Sequence, residues 1–449
     1  MALDRDSLEI LARALEKLNA GFSYLPAFES SCPDRERMEE VAARLAERLT
    51  DNYPYFHPLY AGQMLKPPHP VARLAYSLAM YINPNNHALD GGRATSALEK
   101  EAVSEIAAML GWSEFLGHLA GGGTMANLEA LWVAGQINPG KTILASEQAH
   151  YTHSRISRVL QLPFEEIATD SLGRMDMNAL TRRVARGDVG TVVATLGTTA
   201  TGSVDPLAEI LELAAQRGFR VHADAAYGGY FALAGNLGEN ARSSFRRIGE
   251  ADSVVIDPHK HGLQPYGCGC VLFREPAVGR LYKHDSPYTY FSSAELHLGE
   301  ISLECSRPGA AAAALWATQK LLPLERGGEF AQGLERGREA ALEFCRAIGN
   351  RRKFVAAFEP ELDILVFIPR AASAGEISVT SRRIFAAAAR EGLHLALAEL
   401  PVKFWGHLGA AGGRGTVTCL RSVLMKPEHL DWVERMVEIL DIAAVRSET

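Results

Sequence analysis

The spacing of apolar positions divides the chain into helical ends and an alternating middle. Near the N-terminus, apolar residues recur every three or four positions from Leu8 to Leu18 and again from Met38 to Leu49, which predicts two helices. The stretch between them is typical of a helix start, with Ser or Cys before Pro33 and acidic residues after it. Residues 51–70 are rich in proline and aromatic residues and predict irregular chain.

Between about residues 95 and 275, predicted strands and helices alternate. Four apolar, β-branched runs bounded by turn residues predict strands: KTILAS (141–146), TVVATLG (191–197), FRVHADA (219–225) and DSVVID (252–257). Helical patterns cover Thr95 to Leu110, Thr124 to Gly135 and Pro206 to Gln216. This alternation predicts an α/β fold with a mostly parallel central sheet covered by helices.

The pattern changes after Pro308. A long helical region with a break at Gly327-Gly328 is followed by shorter elements: FVAAFEP and DILVFIP as strands, a helix from Ser378 to Glu391, the strand TVTCLRSVLM and a helix from Pro427 to Ile442. This outline predicts a smaller C-terminal α+β domain. We expect three parts, an N-terminal helical segment (1–56), a large domain (57–325) and a small domain (326–449).

The composition predicts a folded protein without a strongly charged surface. Hydrophobic residues make up 47% and charged residues 22% of the 449 residues, and the formal net charge is −7. A mildly acidic chain without a basic stripe gives no electrostatic reason to expect nucleic acid or an anionic membrane as partner. No apolar run reaches the length of a membrane-spanning helix, and the charged N-terminus lacks the apolar core of a signal peptide. With six scattered cysteines, we expect a reduced, cytoplasmic protein.

The strongest candidate for chemistry is Lys260, which follows the predicted strand DSVVID. A lysine at a strand end among turn residues lies where sheet proteins place active sites, and one use of it is an imine to an aldehyde cofactor. The alternative is a lysine at the rim of the sheet with its ammonium in solvent. His259 and His261, with Cys268 and Cys270 nearby, could also suggest a metal pair, but the ligand spacing of a zinc site is not present, and we expect no metal.

Three further elements have both a chemical and a structural interpretation. Asp224, in HADAAYGG, could keep a pyridine nitrogen protonated or could cap a turn. The run Gly121–Gly123 before a predicted helix could bind a phosphate or form a plain loop. His150, in SEQAHYTHSR, could lie over a planar ring or could be a satisfied polar histidine.

The order of these elements favours the chemical interpretation. The glycine loop, His150, the hydroxyl-rich loop ATLGTTATGSVDPL, Asp224 and Lys260 each follow a predicted parallel strand at its carboxyl end. Such ends converge on one crevice. A phosphate cradle, a ring stack, an acid for a ring nitrogen and an imine lysine are together the contacts that pyridoxal phosphate needs.

The chain resembles the group II pyridoxal-phosphate decarboxylases, which include the glutamate, aromatic amino acid, histidine and archaeal tyrosine/aspartate decarboxylases. The resemblance extends from about His57 to Arg421 and is carried by SEQAH, ATLGTT, HADAAYGG and DPHK. It implies fold type I, and a homodimer in which the N-terminal segment packs on the partner subunit. It also implies decarboxylation of an L-amino acid to the amine and CO2 through a Schiff base on Lys260 and a quinonoid carbanion.

The resemblance also implies individual roles. The matching positions are Lys260 (imine), His259 (its neighbour), Asp224 (ring nitrogen), Ala226 (beneath the ring), His150 (stacking), Gly123 and Thr124 (phosphate) and Thr199 (ring substituents).

The sequence departs from the family in two places. Many members have Asn at the position of Asp257, and the DPHK form of this chain resembles the archaeal tyrosine/aspartate branch. Members that act on aromatic amino acids carry a long loop with a tyrosine that protonates the carbanion, whereas the interval from Phe291 to Ser306 is short and has no tyrosine. Tyr290, just before this interval, and His150 are therefore the candidate proton donors.

Several alternatives remain open at this point. The same fold also carries other carbon–carbon lyases of the sphingosine-phosphate lyase type and oxidative deaminases, and a non-catalytic cofactor-binding protein is a further possibility. The substrate side chain is also open. The aromatic residues of 53–60 could line a pocket or pack an interface, and three arginines could meet a carboxylate or hold structure: Arg93, Arg307 and Arg421.

Overall fold

The computed structural model describes residues 5–28, 34–283, 297–351, 353–406 and 415–448. Its helices are α1 (Arg5–Gly21), α2 (Arg35–Leu49), α3 (Pro70–Met80), α4 (Leu89–Met109), α5 (Gly123–Ile137), α6 (Thr152–Val159), α7 (Met177–Val184), α8 (Leu207–Arg217), α9 (Glu239–Arg246), α10 (Gly309–Leu321), α11 (Glu329–Asn350), α12 (Ala374–Arg390) and α13 (His429–Glu448). Its strands are β1 (Leu116–Ala120), β2 (Thr142–Ser146), β3 (Phe164–Ile167), β4 (Val189–Thr195), β5 (Arg220–Asp224), β6 (Ser253–Ile256), β7 (Gly269–Phe273), β8 (Phe354–Ala356), β9 (Ile364–Pro369), β10 (Ala396–Pro401) and β11 (Thr416–Val423).

The larger sheet has seven strands in the order β1-β7-β6-β5-β4-β2-β3. Pairing from β3 to β6 is parallel, and β7 lies antiparallel between β6 and β1. Because β7 is antiparallel to both of its neighbours, β1 points the same way as β6. The carboxyl ends of β1, β2, β4, β5 and β6 therefore meet at one edge. The predicted α/β fold with a mostly parallel sheet is confirmed.

The smaller sheet is antiparallel, in the order β10-β11-β9-β8. Helices α11, α12 and α13 pack with it around a separate apolar core that includes Phe344, Phe367 and Leu420. The glycine break lies between α10 and α11, and residue 325, where we expect the domain boundary, lies in the same loop.

The N-terminal helices α1 and α2 lie on the surface of the chain, and neither contains a buried residue. On α2 an apolar stripe runs along one side with each side chain about half exposed: Met38, Val41, Leu45 and Leu49. The prediction that Ser or Cys before Pro33 starts this helix is wrong. Asp34 is the N-cap, and its carboxylate accepts the backbone N–H of Arg37 at 3.3 Å.

No helix in the described ranges is both long enough and apolar enough to cross a bilayer.

Candidate active site

A cleft of about 530 Å³ opens at the shared carboxyl edge of the larger sheet, a size typical of ligand pockets. Its lining includes all eight predicted cofactor-contact residues: Gly123, Thr124, His150, Thr199, Asp224, Ala226, His259 and Lys260. The structure therefore brings these residues together from five strand ends. Tyr290, the remaining predicted catalytic residue, lies outside the described residues.

Lys260 reaches the cleft from a tight turn after β6. Its backbone N–H donates to the carbonyl oxygen of Asp257 at 2.9 Å, which closes the turn. Its Nζ lies 3.0 Å from Asp257 Oδ2, and the Asp257 side chain is only 2% exposed. The amine thus lies against a buried carboxylate rather than free in solvent.

His259 links the lysine turn to β7. Its Nδ1 lies 2.8 Å from the carbonyl oxygen of Cys268, so Nδ1 carries the proton and donates it. Its ring is tilted against Tyr266, with centroids 4.7 Å apart. Burial lowers the pKa of His259, which favours the neutral ring.

The metal interpretation of this stretch gains no support from the geometry. His261 Nε2 faces Asp363 at 3.2 Å, away from His259. The thiols of Cys268 and Cys270 are buried, and burial raises their pKa. Among the residues that the structure describes, no group of three metal-ligating side chains is placed to hold an ion.

Asp224 ends β5 inside the cleft with both carboxylate oxygens engaged. Oδ1 accepts the backbone N–H of Ala226 at 3.2 Å, so the carboxylate does cap a turn. Oδ2 lies 2.7 Å from Nε2 of His153, a fully buried histidine on α6. Burial alone would raise the pKa of Asp224, but the hydrogen bond and charge of His153, with smaller effects of His222 and Lys260, hold it below its usual range. The carboxylate is therefore ionised at neutral pH.

His153 is the contact that the sequence analysis missed. It lies three positions after His150 in the same motif, so both histidines are on or beside the first turn of α6. Its spacing from His150 does not indicate this contact, because Asp224 lies 71 residues further along the chain.

His150 has a defined tautomer. Its Nδ1 accepts the backbone N–H of Thr152 at 3.3 Å and lies 2.7 Å from Thr152 Oγ1. Nδ1 is therefore unprotonated, and Nε2 carries the proton of the neutral ring. Burial, which has the largest effect, lowers the pKa of His150. The ring lies against Tyr151 with centroids 4.4 Å apart.

The glycine run lines the cleft at the N-terminus of α5, beside Asp257 of the lysine turn. Gly122 caps the helix with φ of 139°, in a region that favours glycine. A Cβ on Gly123 would lie 2.6 Å from Asp257 Oδ2, and a Cβ on Gly269 in β7 would lie 2.6 Å from the Gly122 backbone. Only glycine allows these segments to approach so closely. The first N–H groups of a helix have no acceptor inside the helix, so this end can bind an anion.

Arg421 holds the Thr199 loop rather than projecting into the cleft. Its guanidinium donates to the carbonyl oxygens of Thr199 at 2.7 Å, Ala200 at 3.1 Å and Gly62 at 3.0 Å. Arg307 is also buried, and it donates to Glu99 at 2.6 Å. Both arginines satisfy internal acceptors.

The aromatic residues of 53–60 pack on one another. The rings of Tyr55 and Tyr60 meet edge to face at 4.9 Å, and Tyr53 contacts His394 at 5.0 Å. Among the described residues, the cleft lining contains none of these rings.

Comparison with known proteins places the chain among related sequences. The family model described as "Pyridoxal-dependent decarboxylase conserved domain" matches residues 130–370. An L-tyrosine decarboxylase of Enterococcus faecium is 28% identical, with coverage of 69% of this chain and 67% of that protein. A probable L-tyrosine/L-aspartate decarboxylase of Methanothrix thermoacetophila is 31% identical, with coverage of 64% and 72%.

A solved structure, Oryza sativa TDC with PLP and tryptamine, shares the fold. It aligns with a TM-score of 0.79 and 16% identity, and the alignment covers 98% of this chain and 96% of that one.

Proposed function

Because the chain belongs to the pyridoxal-dependent decarboxylase family and is an amino acid decarboxylase with pyridoxal phosphate as cofactor, we propose that Lys260 anchors this cofactor. The observation that carries the proposal is one cleft that holds Lys260, Asp224 and the start of α5 together.

The residues that line the cleft offer a contact to the phosphate, the ring and the aldehyde carbon of the cofactor. The N-terminus of α5, with Gly123 and Thr124, offers backbone N–H groups and the positive end of a helix dipole to the phosphate. The small side chain of Ala226 leaves a flat floor for the ring, and His150 lies beside the same space. When bound, pyridoxal phosphate supplies a ring that accepts the electron pair left behind when CO2 departs.

Asp224 is proposed to hold the proton on the ring nitrogen. Its carboxylate is buried and ionised, because His153 and the Ala226 N–H each donate to one oxygen. A fixed negative charge at that position favours the protonated form of a facing nitrogen. Asp224→Ala should therefore keep cofactor but lose most turnover, and near-normal turnover would contradict this role.

His150 is proposed to protonate Cα after CO2 leaves. Its Nδ1 is occupied by Thr152, so Nε2 carries the proton that would form the new C–H bond. Tyr290 is the alternative donor. We expect His150→Gln to lower amine formation more than Tyr290→Phe does. The reverse order would assign the proton to Tyr290.

The anchor is tested by the visible absorbance of the purified holoenzyme. Lys260→Ala should lose the absorbance of the lysine-bound cofactor together with CO2 release. Lys320→Ala, which removes an exposed lysine of α10, is the matched control and should keep both. A Lys260→Ala protein that retained the absorbance would exclude Lys260 as the anchor.

The substrate is proposed from the relatives. Proteins named L-tyrosine decarboxylase and probable L-tyrosine/L-aspartate decarboxylase match about two thirds of the chain, so these two amino acids are the first to assay. Incubation with each of the twenty amino acids, with amine detection by mass spectrometry and oxygen consumption measured alongside, identifies the substrate. Oxygen uptake with aldehyde formation would instead indicate oxidative deamination.

A homodimer is proposed because the apolar stripe of α2 is left exposed in the single chain. Exposed apolar stripes of this kind mark contact surfaces, and a second copy would cover it. Leu45→Lys should lower the mass measured by light scattering from dimer to monomer. Glu47→Lys on the polar side of α2 is the control. A monomeric wild-type protein would contradict the proposal.

A further inference from the structure

One buried carboxylate of the smaller sheet contacts both loops that carry the candidate chemistry. Asp363 directly precedes β9 and is fully buried. Its Oδ1 accepts the hydroxyl of Tyr227 at 2.6 Å. Its Oδ2 lies 3.2 Å from His261 Nε2, although the two are not aligned as a hydrogen bond in this conformation.

The two partners of Asp363 lie next to the site in sequence. Tyr227 comes three residues after Asp224 and itself lines the cleft. His261 directly follows Lys260. The rings of Tyr227 and His261 also meet edge to face, with centroids 4.7 Å apart. A displacement of Asp363 would therefore shift both Asp224, the acid proposed for the ring nitrogen, and Lys260, the proposed anchor.

The charges around Asp363 explain how a carboxylate is retained there. Burial would raise its pKa, but His261, the Tyr227 hydroxyl and the Lys66 ammonium lower it, so Asp363 remains ionised. Lys66 donates to the carbonyl oxygen of Met425 at 3.1 Å. A hydrogen bond is directional, whereas apolar packing permits sliding, so the Tyr227–Asp363 hydrogen bond fixes the Tyr227 loop more narrowly than a hydrophobic contact would. The close approach of His261 to Asp363 ties the lysine turn to the same carboxylate.

We propose that Asp363 is a positioning residue, which sets the separation of Asp224 and Lys260 through Tyr227 and His261. The inference rests on the proposed function, because it concerns the geometry of the same cleft. It makes the smaller sheet part of the active-site scaffold. Asp363 itself is not among the residues that line the cleft.

The test compares Asp363→Ala, Asp363→Asn and Tyr227→Phe in the holoenzyme. Asp363→Ala severs both contacts, whereas Asn can still accept the Tyr227 hydroxyl and should restore much of the function. Tyr227→Phe removes one hydrogen bond and keeps the ring. Arg174→Ala is the matched control, because it cuts the Arg174–Glu361 ion pair between the same parts of the chain, outside the cleft.

We expect Asp363→Ala to lower kcat by about 10- to 100-fold, since misplacement of about 1 Å can have an effect of that size. KM should change little, and the pH at which the cofactor absorbance changes should shift. The kcat of Asp363→Asn should be close to that of the wild type. Arg174→Ala should lower only the thermal midpoint.

Three results would overturn the inference. One is an Asp363→Ala protein that is less stable but has unchanged cofactor absorbance and kcat. Another is an Asp363→Asn protein no better than Asp363→Ala. If Asp363→Ala does not fold, the third is a Tyr227→Phe protein with unchanged kcat and unchanged cofactor absorbance. Failure of the proposed function is distinguishable, because the wild-type protein would then lack the lysine-bound absorbance or release no CO2.

Discussion

We predict that acid destabilises this protein in part through one buried histidine, His222 of β5. Its Nε2 lies 2.8 Å from Asn127 Oδ1 and its Nδ1 lies 2.9 Å from Ser253 Oγ. The amide of Asn127 is oriented by its donation to Gly123 O at 2.8 Å, so Oδ1 is the acceptor. His222 therefore donates from Nε2 and accepts at Nδ1. Protonation of Nδ1 would turn the Ser253 hydroxyl from donor to acceptor and would place a positive charge in the buried sheet, which burial opposes.

The magnitude follows from the two protonation states. Burial lowers the pKa of His222 to about 3 in the folded protein, whereas an unfolded histidine titrates near 6.5. Below pH 6.5 the unfolded chain binds a proton that the folded chain does not bind until about pH 3. The contribution of neutral His222 to the free energy of unfolding is thus fully present above pH 6.5, and it is lost progressively as the pH falls from 6.5 to about 3. At pH 5 the loss is about 2 kcal/mol, from about 1.4 kcal/mol per pH unit.

The assay is urea unfolding of the wild-type protein and of His222→Gln at pH 7 and pH 5. From pH 7 to pH 5, the free energy of unfolding of the wild type should fall by about 2 kcal/mol more than that of His222→Gln, because glutamine does not titrate. His57→Gln, at a half-buried histidine outside the sheet, controls for the loss of one imidazole. Equal losses in the wild type and His222→Gln would refute the idea that burial holds His222 neutral.

Three further predictions concern the cleft and the second core. Gly123→Ala would place a Cβ 2.6 Å from Asp257 Oδ2, and because overpacking costs about 1–3 kcal/mol, cofactor affinity measured by equilibrium dialysis should fall roughly tenfold. His153→Ala removes a hydrogen bond from Asp224, so the pKa of Asp224 should rise and the acid limb of the kcat–pH profile should move upward; an unmoved limb would contradict this. Phe344→Ala should lower the free energy of unfolding by about 3–5 kcal/mol, measured by urea titration, and leave the cofactor absorbance intact.

The sequence predicts the buried strands well and the exposed ones poorly, for a physical reason. Every residue of β4 and β6 is buried, so each reads as a continuous apolar run. In β3 (Phe164–Ile167) two acids are exposed and only Ile167 is buried, so neither the run nor the alternation predicts a strand. The pairing of β7 against β6 and β1 depends on tertiary packing, which local patterns do not record.

The site shows the same division. Residues placed by strand ends, such as Lys260 and Asp224, could be predicted because parallel strands deliver their ends to one edge. His153 and Asp363 could not be predicted, because each acts through a partner far along the chain. The separation is 71 residues from His153 to Asp224 and 136 residues from Tyr227 to Asp363.

The contact of Gly122 with Gly269 constrains how this enzyme can be redesigned. The two backbones approach so closely that a methyl group at position 269 would lie 2.6 Å from position 122. A library that randomises the glycine run therefore needs both positions held fixed. A side chain at 269 would separate β7 from the start of α5, and a side chain at 122 would be strained at φ of 139°. Diversity aimed at new substrates belongs instead beside the lining residues, where an exposed neighbour of His150 such as Tyr151 has room to vary.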